Sequence, residues 1–154
     1  MIVVSDTSAI TSLLQIGRLA ILPALYQNVV IPVEVANELL RFHATLPGFI
    51  QVMPVADRAL FKRFLTELDP GEAAAIALML EGKGDLLLMD ERRGRAVAAR
   101  EGLAVVGVIG VLVEARHRGL ITSLAGVIDD LERLAGFRIS PRLRQQVLET
   151  VGEK

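Results

Sequence analysis

Apolar and polar positions along this chain fall into blocks whose period switches between that of a strand and that of a helix. Residues 1–5 are rich in Ile and Val with little alternation, the mark of a strand buried on both faces. The run stops at Asp6, and helical spacing begins at once with Ile10, Leu13, Leu14 and Ile16; Ser8 is placed to cap that helix. A second helical piece covers about 18–26, and "NVVIP" reads as a short strand. Pro32 then opens a helix running to about His43, since proline suits a first turn. "FIQVMPV" is a short strand or an extended connection, and 57–67 is helical. "DPGEAAAIALMLEG" is a helix bounded by Asp69-Pro70 and Gly82. "DLLLMD" is a strand, "ERRGRAVAAREG" a helix weakened at Gly94, and "LAVVGV" a strand. Helices follow at about 108–118, 123–135 and 140–151, with Gly119, Gly136 and Pro141 as breaks.

Strands alternate with helices up to about residue 106, which predicts an α/β sandwich around a mainly parallel sheet. No linker or internal repeat divides the chain, so 1–154 is expected to be one domain, with 123–154 as a helical C-terminal extension. In parallel sheets, sites form outside the carboxyl ends of the strands. Asp6 and Asp90 both stand where an apolar strand ends, so the two acids are expected on the same rim.

Two further acids point to that rim. At about 100° per residue, the helix after Pro32 gathers Val33, Val35, Ala36, Leu39, Leu40 and Phe42 on one broad apolar arc. Glu38 lies at the margin of this arc, either aimed at a cleft beside the sheet or paired with Glu34 on a wet face. Glu72 is surrounded by alanines on its own helix. "DPGE" is a capping box with Asp69 as the cap and Glu72 at the third position. Capping and cation binding are compatible for such a residue, because a glutamate fixed by the cap can still present an oxygen. Four converging carboxylates repel one another and raise each other's pKa, and a divalent cation relieves that repulsion. The candidate metal site is therefore Asp6, Glu38, Glu72 and Asp90.

Composition narrows the chemistry. There is no cysteine, which excludes disulfides, thiol catalysis and thiolate zinc. The two histidines, His43 and His117, sit in unrelated settings, so a metal would be held by oxygen, favouring Mg²⁺ or Mn²⁺. The formal charge of −1 signals no global polyanion binding, but Arg92, Arg93 and Arg95 follow Asp90 closely, either as phosphate contacts or as a solvated basic face. With one tyrosine and no tryptophan there is no extended aromatic platform for bases. No signal peptide is evident and no apolar run is long enough to span a bilayer, so a cytoplasmic protein without membrane contact is expected. Apolar residues make up 52%, and the segment 103–115 suggests a homodimer interface or simply a cover for the sheet.

The stretches "VVSDTSAITSL", "VVIPVEVANELL", "LDPGEAAAIALML", "LLLMDERRGRAVAAREGLAVVGVIGVL" and "LERLAGFRIS" together resemble the PIN-domain nucleases, most nearly the branch related to VapC-type toxins. The resemblance implies a three-layer α/β/α fold and a Mg²⁺- or Mn²⁺-dependent endoribonuclease acting on single-stranded RNA. It also implies a cognate antitoxin as partner. Its acidic residues fall on Asp6, Glu38, Glu72 and Asp90, with Thr7 and Ser8 supplying a hydroxyl near the first acid. The sequence "ERRGR" after Asp90 departs from the more acidic pattern of many members. The competing expectation is a PIN-like module of weak or no activity that binds nucleic acid or protein. A receiver-like domain would need paired acids after the first strand and a lysine after the last; a nucleotide-binding loop would need P-loop spacing, which "GKG" lacks.

Overall fold

The computed structural model describes residues 1–153. Among the described residues five strands form one sheet: β1 (Ile2–Ser5), β2 (Asn28–Pro32), β3 (Ile50–Met53), β4 (Leu86–Leu88) and β5 (Val105–Val106). Their order is β3-β2-β1-β4-β5, and every neighbouring pair is parallel. Nine helices are found among the described residues. They are α1 (Thr7–Gln15), α2 (Ile21–Leu25), α3 (Val33–Leu40), α4 (Arg58–Leu65), α5 (Pro70–Leu80), α6 (Arg92–Arg100), α7 (Val108–His117), α8 (Leu124–Leu134) and α9 (Pro141–Thr150).

The period-2 geometry of a strand sends successive side chains to opposite faces. Val3, Val29, Ile31 and Leu88 enter one core with α1, α2, α3, α7 and α8. Val4, Val30, Leu87 and Met89 enter the other, under α4, α5 and α6. The result is a three-layer α/β/α sandwich. α5 is buried from Gly71 to Met79, which explains its alanine run: only small side chains let a helix lie this close to the sheet and its neighbours. Gly119 and Gly136, the expected breaks, take left-handed φ values of 75° and 64° and end α7 and the turn after α8. At the far end, the Glu153 carboxylate accepts from the backbone N–H of Leu124 and Ala125 and from Arg116, fastening the C-terminal turn to the start of α8.

Several boundaries differ from expectation. The cap of α1 is Asp6, not Ser8: Asp6 has extended backbone, and its carboxylate takes the Ala9 N–H. α3 stops at Leu40, short of His43, so the apolar arc is narrower than its sequence. Val35, Ala36 and Leu39 are buried, whereas Leu40 and Phe42 are exposed. α2 keeps only Ile21–Leu25 of the piece expected over 18–26, and β5 has only two residues. In the apolar segment 103–115, Val108, Val111, Leu112 and Ala115 are spent on the chain's own core. Among the described residues no helix is long and apolar enough to cross a membrane.

Candidate active site at the sheet switch point

The chain leaves β1 toward β2 and β3 on one side and later returns to place β4 on the other. The strand order thus reverses beside β1, and such a switch point opens a crevice at the carboxyl ends of the strands. Asp6 stands at that point. Its backbone N–H donates to the Leu88 carbonyl at 3.2 Å, pinning the end of β1 to the end of β4. Its side chain is 2% exposed; one oxygen accepts from the Ala9 N–H at 3.1 Å and the other from the Ser8 hydroxyl at 3.3 Å.

A cavity of about 720 Å³ opens beside it, with Asp6, Glu38, Asp69, Glu72 and Glu91 in its walls. Thr7, Ser8, Thr11, Ser12 and Gln15 of α1 complete one side, and among the described residues no lysine or arginine lines it. Of the expected residues, Asp6, Thr7, Ser8, Glu38 and Glu72 therefore share one pocket. Glu72 reaches it from the first turn of α5. Its backbone N–H donates to Asp69 Oδ1 at 2.8 Å, and its own Oε1 accepts from the Asp69 N–H at 3.3 Å, completing the capping box. Oε2 is left over and faces Gly94, where an added Cβ would come within 3.1 Å of it. Glycine at 94 is what lets α6 approach so closely. In the same first turn, a Cβ at Gly71 would meet Glu38 Oε1 at 2.8 Å and Thr7 Oγ1 at 3.2 Å. The Thr7 hydroxyl oxygen is buried and has no hydrogen-bond partner among the described residues.

Asp90 is placed differently. It follows β4, but it does not line the cavity, and both its oxygens accept from the Val108 N–H at the start of α7, at 3.1 and 3.3 Å. Arg95 lies against it: a Cβ at Gly107 would meet Asp90 Oδ1 at 2.6 Å and Arg95 Nη1 at 2.9 Å. That guanidinium also donates to the Met89 carbonyl at 3.0 Å, so Arg95 braces the end of β4. Arg92 and Arg93 are exposed on α6, outside the cavity walls.

The charges are crowded. Burial pushes the Asp6 carboxyl up to about 7, against the Ala9 hydrogen bond, and the negative charges of Asp90 and Glu72 push the same way. Burial, then the Asp69 charge, pushes Glu72 to about 7 as well. Asp90 is raised by burial, with the Val108 N–H and the Arg95 charge pulling it down. Among the described residues no three acidic or histidine side chains close on a single point as metal ligands. Yet the donor set is entirely oxygen, the Thr7 hydroxyl is orphaned, and burial, reinforced by neighbouring negative charge, holds two of the acids well above the usual carboxylate range. That chemistry suits a hard divalent cation.

Asp69 and Glu91 were not singled out from the sequence as site residues. Asp69 reads from the sequence as a cap, and no spacing or pattern sets Glu91 apart. The hydroxyl and amide row Thr7, Ser8, Thr11, Ser12 and Gln15 was legible in principle, since those spacings share one helix face.

A protein-family model described as "PIN domain" matches residues 2–153. No curated protein and no solved structure matches the chain.

Proposed function

The chain belongs to the PIN-domain family, whose members are generally nucleases, and from that premise we propose that it is a Mg²⁺- or Mn²⁺-dependent endoribonuclease cutting single-stranded RNA. The observation that carries the proposal is the cavity at the switch point, walled by carboxylates and, among the described residues, free of cationic side chains in its lining. Asp6, Glu38 and Glu72 would hold the ion, with Asp90 adding negative charge beside Asp6. When bound, the cation offsets the carboxylates' repulsion and the charge that builds on a phosphodiester during hydrolysis. Asp6 is kept in one orientation by the Ala9 N–H. Ser8, whose hydroxyl donates to Asp6, and the buried Thr7 hydroxyl would order the wall beneath the substrate, and Arg92 and Arg93 would offer charge to the RNA backbone further out. Glu72 Oε2, unused by the capping box, would be free to face the ion directly or through a water, and in the second case to orient the attacking water.

We further propose that the protein is the toxin of a toxin–antitoxin pair and acts as a homodimer. A small cognate antitoxin would then co-purify when the native operon is expressed. Absence of such a partner, together with unimpaired growth on expression, contradicts the toxin assignment.

The test of the nuclease assignment is cleavage of an unpaired fluorescent RNA. Asp6→Asn should lower Mg²⁺-dependent cleavage by about 10²-fold or more, and EDTA should stop the wild type. Full activity in the variant or in EDTA contradicts it.

A further inference from the structure

A second cavity, of about 390 Å³, adjoins the acidic one and shares Thr7, Thr11, Gln15 and Glu38 with it. Its outer wall is the turn that ends α3: Arg41, Phe42 and His43. This wall is fixed in place. The backbone N–H of Arg41 donates to the Glu38 carbonyl, and those of Phe42 and His43 donate to that of Leu39, whose own side chain is buried. Among five phenylalanines and one tyrosine, Phe42 alone is exposed, at 84%. A phenyl ring held on ordered backbone, in water, at the rim of a phosphodiester-cleaving cavity calls for a flat apolar ligand. Arg41 beside it forms no ion pair among the described residues, although Glu38 is one turn away.

We propose that this second cavity is a nucleotide subsite, in which one unpaired base of the RNA, flanking the scissile phosphodiester, stacks on Phe42 while Arg41 contacts its phosphate. The proposal rests on the ribonuclease reading of the adjoining site. The shared wall supports it: a strand whose phosphodiester lies over Asp6 and Glu38 runs naturally past Thr11 and Gln15 into the second cavity. The volume falls within the range of about 300–1,000 Å³ typical of small-ligand pockets. A ring face stacks on any unpaired base, whereas a base held inside a duplex has no free face to offer. Gln15 and His43 supply hydrogen-bonding groups for the base edge, so they would set base preference and Phe42 would supply affinity. With a single ring available, one base is gripped and not a run of them. The subsite therefore fixes the register of the strand over the acids.

The experiment measures binding of an unpaired oligoribonucleotide, in Mg²⁺, by fluorescence anisotropy in the Asp6→Asn background, where cleavage is stopped. Each position of the oligonucleotide is replaced in turn by an abasic nucleotide. The expected result is one sensitive position, a loss of roughly 5- to 150-fold in affinity on Phe42→Ala, recovery in Phe42→Trp, and disappearance of the abasic sensitivity in Phe42→Ala. Because Phe42 is exposed, the variants keep the core intact. Equal affinity of Phe42→Ala and its parent, or an unchanged abasic profile, overturns the subsite. So does a change in elution volume of Phe42→Ala on size exclusion with no change in RNA affinity, which would assign the ring to a protein contact. The two readings fail separately. Wild-type cleavage with Phe42-independent binding sinks the subsite alone, and Phe42-dependent binding without any metal-dependent cleavage sinks the nuclease alone.

Discussion

Asp6 caps α1 with one carboxylate oxygen and turns the other toward Ser8 at the cavity, all in a position that is almost wholly buried. A cap wants an acceptor; it does not require a charge, and Asn caps as well as Asp. The charge is therefore a burden on the fold, because burial and the nearby Glu72 and Asp90 all oppose it. In the absence of divalent cation, Asp6→Asn should raise stability by about 1–3 kcal/mol near pH 8, read from chemical denaturation, even as it removes cleavage. A variant that is less stable than the wild type would show that the carboxylate is held for structure. This residue was legible from sequence because an apolar strand ends on it. Glu91 was not, because adjacency to Asp90 gives no sign of which of two acids will face the cavity; the start of α6 decides that. Asp90 itself was legible as a strand-end acid, but its tie to Val108 joins two segments that are distant in sequence.

At the scale of elements, α5 shows how a helix terminus becomes part of a site. Its capping box holds Glu72 by both backbone and side chain, and Gly71 and Gly94 leave room on either side of the first turn. Asp69→Ala should cost about 1 kcal/mol of stability, measured by denaturant melt, and should loosen Glu72, lowering cleavage more than this small destabilisation accounts for. Unchanged cleavage with the expected stability loss would confine Asp69 to capping. The long, strongly patterned elements were readable: α5 from its Pro-start and alanine run, β1, β2 and β4 from unbroken Val, Ile and Leu. The elements whose bounds differ from the apolar pattern are short or end on tertiary contacts. The apolar pattern runs on to Phe42, so the pattern alone extends α3; Leu40, its last residue, is exposed, and Phe42 stands exposed at the rim of the second cavity. β5 is confined to Val105–Val106 because the next residue, Gly107, already caps α7.

The whole molecule sets where these parts meet. Alternating strands and helices were enough to predict a parallel sheet with covered faces, since parallel strands need crossovers and crossovers bury both sides. The strand order was beyond the sequence, because the crossover from β3 to β4 passes behind β1 and only then creates the switch point. That topology concentrates carboxylates, and the fold should register their protonation. Asp6 rises from 3.8 to about 7 and Glu72 from 4.5 to about 7 on folding. The folded state thus holds more protons than the unfolded one between those limits. Without divalent cation, these two groups make stability fall as pH rises from about 4 to about 7, with no further loss from them above that. Added Mg²⁺ should accordingly raise the melting temperature more near pH 8 than near pH 5. A shift equal at both pH values would separate the cation from these two acids.

Anomalous diffraction from a crystal soaked in Mn²⁺ tests the central claim most directly. An ion in the cavity, with oxygens of Asp6, Glu38 or Glu72 at about 2.1 Å or joined to it through water, is the predicted result. A fully occupied ion found elsewhere, with the cavity showing no anomalous signal at saturating Mn²⁺, would contradict it.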